Sequence, residues 1–126
     1  MMDLKRGFLI LAFAMVMVIA LLYGIDPQWF AKTFLGVTEL SMDFAHILRA
    51  VMCLYLPLGG FWLYCALSDT QKTTAILTTI MFAGGLVGGR LLSFAVDGFP
   101  SPLLIFYAAL ECAVIPLAWW VYKQPE

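Results

Sequence analysis

Four long apolar runs, separated by short polar links, set the pattern of the chain. They cover about residues 7–25, 44–67, 74–96 and 102–122. A helix needs roughly 20 mostly apolar residues to cross about 30 Å of hydrocarbon, and each run is long enough. The first run carries no charge, the second contains Arg49, the third has Arg90 near its end, and the fourth contains Glu111. The expected fold is an all-α integral membrane protein: a four-helix transmembrane bundle occupying residues 1–126 as a single domain. No internal repeat or low-complexity tract breaks this pattern.

The links add detail. Asp26 followed by Pro27 reads as an N-cap with proline at the first helical position, and Gly36 as a stop. On the wheel Trp29, Phe30 and Phe34 share one side, with Gln28 and Lys32 opposite. This predicts a short helix lying in the membrane interface after span one, or an ordinary aromatic-belt loop. Lys5 and Arg6 ahead of an apolar run resemble a secretory signal. Leu21, Leu22 and Tyr23 leave no small-residue cleavage site before Asp26, so the first span reads as an uncleaved anchor. Lys5, Arg6, Lys72 and Lys123 fall at one end of the bundle, and the opposite links hold only Lys32. Positive residues favour the cytoplasm, so both termini are expected there.

Composition strengthens the membrane reading. Hydrophobic residues make up 63% of the 126 and charged residues 12%, against about 25% charged in an average globular chain. The mean hydropathy is +0.96. The partner this implies is the lipid bilayer. A net charge of −1 with no basic run argues against nucleic acid.

Catalytic motifs are missing. There is no CxxC, HExxH, GxSxG or phosphate-binding glycine loop, so no catalytic residue and no cofactor is expected. Cys53, Cys65 and Cys112 all fall inside spans and read as small packing residues. His46, the single histidine, lacks the partners for a metal site.

What remains is a set of ionisable residues at membrane depth, where they are costly and usually purposeful. On span two, His46, Arg49, Ala50, Cys53, Pro57, Gly60 and Tyr64 form one stripe, small and polar enough to be expected against protein. Arg90, Ser93 and Asp97 form a second stripe on span three. On span four, Glu111 shares a face with Leu104, Tyr107, Ile115 and Ala118. At about 1.5 Å per residue, Arg49, Arg90 and Glu111 fall at similar depths and are expected to converge in the outer half of the bundle. Two arginines against one glutamate leave an excess positive charge, for Asp97, Asp43 or a bound anion to absorb. Three roles suit such a cluster. It is a salt-bridge staple, an anion site, or a set of side chains reaching for the headgroups.

Gly84, Gly85, Gly88 and Gly89 give span three two overlapping GxxxG pairs, about 170° around the helix from Arg90. Packing within the chain and a contact between subunits both suit this face. Span one, with Met15, Met17 and Leu21 between Gly7 and Gly24, reads as a poor groove for close backbone approach.

Several stretches resemble a family of small bacterial four-span membrane proteins catalogued as domain of unknown function 4345. They are LYGIDP at Leu22–Pro27, HILRAVMCLYLPLGGFW at His46–Trp62, GGLVGGRLLSFAVDGFPSP at Gly84–Pro102, and the Glu111 that follows. The resemblance spans nearly the whole chain. It implies four spans and the pairing of an Arg on span two with the later motif, and it brings no assigned activity to carry over; the expected location is a bacterial cytoplasmic (inner) membrane. With no catalytic motif, minimal loops and a third span that has partners on both sides, the expected function is non-enzymatic, through oligomerisation or as the accessory partner of a larger membrane complex. One alternative is a carrier, channel or binding protein for a small or lipid anion held by Arg49 and Arg90, with Glu111 or His46 as the proton-linked group. The other is an intramembrane enzyme using Glu111 and His46 as its acid–base pair.

Overall fold

A computed structural model describes residues 4–124, leaving the first three and last two residues of the expected domain outside the description. Five helices follow in order: α1 (Leu4–Gly24), α2 (Pro27–Phe30), α3 (Met42–Ser68), α4 (Lys72–Val96) and α5 (Pro102–Tyr122). α2 runs on into a single π-helical turn, Ala31–Leu35. The four long helices are each apolar enough to span a bilayer. The fold is the all-α four-helix bundle that the apolar runs predict.

Capping explains where the short helix sits. The Asp26 carboxylate accepts from the Trp29 amide at 3.1 Å, with Pro27 at the first helical position. At the other end Gly36 takes a left-handed conformation, φ 72°, which glycine adopts without strain. Phe30 is fully buried while Trp29 is half-exposed, so this segment lies on the end of the bundle with one side down. Phe30 meets Tyr23 edge-on, with centroids 5.0 Å apart. Ser41 caps α3 by accepting from the Phe44 amide at 3.1 Å.

The long helices pack as two pairs, α1 against α3 and α4 against α5. In lipid the association of such pairs rests on van der Waals packing and interhelical hydrogen bonds rather than on apolar burial. α1 presents Phe8, Leu9, Ala12, Val16, Ala20 and Tyr23 at helical spacing, all buried. α3 answers with Leu48, Tyr55, Gly59, Trp62 and Cys65. Gly59 makes the close approach possible, since a Cβ built there would lie 2.6 Å from Val16 Cγ1. At the other end of α1, a Cβ on Gly24 would meet Met52 at 2.5 Å. This corrects the sequence expectation that span one cannot approach closely. The bulky residues of α1 act as knobs, and the hole is the missing side chain of Gly59 on α3.

The two pairs are joined at the end carrying the termini. The Trp62 indole donates to Thr78 Oγ1 at 2.9 Å, binding α3 to α4. Asp69, in the α3–α4 link, pairs with Arg6 at 3.4 Å and also with Lys72, while Lys5 donates to Thr73 at 3.0 Å. Toward the opposite end, which holds the 25–41 and 97–101 links, a groove separates α3 from α4.

Candidate functional site

The groove and the polar residues of α4 define the site. Arg90 stands seven residues before Asp97, or about 10 Å along α4; Glu111 stands nine after Pro102, or about 14 Å along α5. Because α4 and α5 form an antiparallel hairpin, these depths nearly match. The Arg90 Nε–H donates to Glu111 Oε1 at 2.9 Å, and the two side chains are only 20% and 12% exposed. The charges cancel one for one.

Three tyrosines surround this pair. Tyr23 of α1 lies beside the Arg90 guanidinium. Its ring is 6.2 Å from Tyr55 of α3 and 6.1 Å from Tyr107 of α5, measured between centroids. Tyr55 leads on through Phe82 at 4.9 Å to Trp62, which lies 5.7 Å beyond. All four long helices therefore contribute aromatic rings around one ion pair.

Two spaces meet at Arg90. A groove of about 610 Å³ opens between the pairs, walled by Phe30, Leu48, Val51, Phe94 and Leu104, with Ser93 and Asp97 also on its lining. Behind it lies a small cavity of about 70 Å³, lined by Tyr23, Tyr55, Trp62, Thr79, Tyr107 and Glu111 among others. Arg90, Tyr23 and Tyr55 face both spaces. Tyr107 is 4% exposed, and its hydroxyl has no hydrogen-bond partner.

The structure thus unites Arg90, Ser93, Asp97 and Glu111 around the groove and its inner cavity, but not the second-span residues. His46 and Arg49 are exposed and line a separate shallow surface on α3 with Met42, Ala45, Ala50 and Cys53. The expected convergence of Arg49 with Arg90 and Glu111 is corrected here. α3 turns its bulky face, Leu48, Tyr55 and Trp62, toward α1, and a residue one position on from Leu48 is rotated about 100° outward. The whole stripe from His46 through Pro57 and Gly60 to Tyr64 lies on the outer surface. Near the end of a span, an arginine there reaches the headgroup region with its charged tip. The excess positive charge that motivated an anion site is consequently absent from the groove.

The glycines of α4 divide. Gly85 and Gly89 line the groove. Gly84 and Gly88 do not, and all four are exposed, with nothing within 4 Å of a built Cβ. Among the described residues, no three of His, Cys, Asp and Glu gather closely enough to hold a metal.

Four apolar helices with a part-buried ion pair between two of them define a multi-pass membrane protein. The chain belongs to the family described as Domain of unknown function (DUF4345), which matches it over residues 4–122. Neither a search of curated proteins nor a search of solved structures finds a match.

Proposed function

We propose that the protein is a non-enzymatic component of a bacterial cytoplasmic membrane that works by self-association, α4 against α4. The observation that carries this reading is the open Gly84–Gly88 face. Leu77, Met81, Leu91 and Leu92, all exposed, continue the same face on either side of the glycines. Large side chains flanking a glycine notch, with no charge among them, make a surface complementary to itself. Two-fold symmetry is the commonest way identical subunits use such a surface. Left against lipid, the glycines would expose backbone and weaken the helix by about 1 kcal/mol each relative to alanine. The absence of enzymatic activity is supported by the separation of His46 and Glu111, which line different surfaces.

Native mass spectrometry from mild detergent is expected to show the wild type at twice the 14.0 kDa chain mass. Gly84→Leu with Gly88→Leu should give a folded monomer, because neither added side chain meets an atom of its own chain. A monomeric wild type, or a dimer that survives both changes, contradicts the reading. Co-purification of a different membrane protein in place of a second copy makes the chain an accessory subunit instead.

The proposed orientation has both termini in the cytoplasm, supported by Lys5, Arg6, Lys72 and Lys123 at the terminal end against Lys32 at the other. In a background with Cys53, Cys65 and Cys112 replaced by alanine, Thr38→Cys should react with an impermeant maleimide in intact cells. Thr70→Cys should react only after lysis. Labelling of Thr70→Cys in intact cells reverses the orientation.

A further inference from the structure

We infer that the groove and the small cavity behind it form one binding site for a neutral amphiphile, an acyl chain with a compact head whose carbonyl or ester oxygens accept hydrogen bonds from Arg90 and Tyr107. Three independent features lead there.

The first is shape. The groove of about 610 Å³ is walled largely by apolar side chains and ends at Arg90, which also faces the inner cavity of about 70 Å³. A tail lying along Phe30, Leu48, Val51, Phe94 and Leu104 would bring its head to the guanidinium. The inner cavity then admits only a few atoms of that head.

The second is the Tyr107 hydroxyl. It is buried and has no partner, and Tyr107 is among the residues that line the inner cavity. Buried hydroxyls in folded proteins nearly always find one. An acceptor atom entering the cavity beside Arg90 and Tyr23 would supply it.

The third is charge. Glu111 already neutralises Arg90, and Asp97 lies on the groove lining. A carboxylate or phosphate head would add negative charge where no positive charge is spare, and would compete with Glu111 for the same guanidinium. A neutral acceptor avoids that competition and still uses the Arg90 N–H groups, which have no acceptor function of their own.

The site is independent of the proposed self-association, since Gly84 and Gly88 lie off the groove. The test is a titration of delipidated protein with 1-monooleoylglycerol, followed by native mass spectrometry, with oleate as the anionic probe of equal chain length. One molecule per chain should bind saturably, and at least tenfold more tightly than oleate. Tyr107→Phe should weaken that binding about tenfold while leaving the melting temperature of the ligand-free protein equal or higher, because it removes a hydroxyl that has no partner. Gly89→Leu, which places a side chain in the groove with no neighbour to displace, should weaken it at least as much. Tighter binding of oleate, unsaturable uptake of both probes, or an affinity unchanged by Tyr107→Phe each overturn the inference. A Tyr107→Phe protein that melts lower without ligand assigns the cavity to bound water, and overturns it too.

Discussion

Glu111→Gln is expected to lower the stability of the folded chain by about 3 kcal/mol, the low end of the range for breaking a buried ion pair. Glutamine keeps the shape and the acceptor oxygen, so the hydrogen bond from Arg90 Nε, 2.9 Å in the native protein, can persist. What changes is that the guanidinium loses its counter-charge in a setting where its side chain is only 20% exposed. The low end applies because the groove beside Arg90 admits some screening. Removing both charges, as in Arg90→Met with Glu111→Leu, should recover at least half of the loss, since replacing a buried pair by apolar groups is often neutral. Thermal unfolding of the single and double variants in one detergent checks this. Losses that simply add would show that the two residues do not act as a pair. Arg49→Met, on the exposed outer side of α3, should show no coupling to Glu111.

The second large effect lies at the α1–α3 contact. Gly59→Ala is expected to cost about 1–3 kcal/mol, the usual range for forcing atoms into a packed interface. The added methyl would sit 2.6 Å from Val16 Cγ1 and 2.9 Å from Met17 Cε, so the helices must separate or Val16 must leave its position. Gly60→Ala is the internal control. Nothing lies within 4 Å of its Cβ position, so the change should be neutral or favourable by up to about 1 kcal/mol through helix propensity. A lowered melting temperature for Gly59→Ala and an equal or raised one for Gly60→Ala are the expected result. Equal effects at both positions would mean that α1 and α3 are not this close.

The comparison of Gly59 with Gly84 shows what the sequence could and could not reveal. The four apolar runs, the Asp26–Pro27 cap and the Gly36 stop are local features, set by residues within a turn or two, and the helices follow them closely. Depth along a helix is also local arithmetic, which is why Arg90 and Glu111 could be placed near one another across the α4–α5 hairpin. Rotation about the helix axis is different. A polar stripe is expected to face protein, but α3 is oriented by the fit of Tyr55 and Trp62 around Gly59, and this carries Arg49 to the outside. At the glycine run on α4 a Cβ would meet nothing within 4 Å, whereas Gly59 on α3 and Gly24 at the end of α1 sit in close contacts. Tyr107 could be found, because it shares a face with Glu111. Tyr23 and Tyr55 could not, since neither lies on a polar stripe with an ionisable residue and only the assembled bundle brings both rings to Arg90.

The most direct test of the proposed self-association is disulfide cross-linking along α4 in native membranes, using single cysteines from residue 81 to residue 92 in a chain otherwise free of cysteine. Contact through the open glycine face predicts a helical pattern, with dimers forming at positions 81, 84, 88 and 92 and not at 83, 86 or 90, which face the chain's own bundle or its groove. Cross-linking confined to the second set, or none at any position, would contradict it.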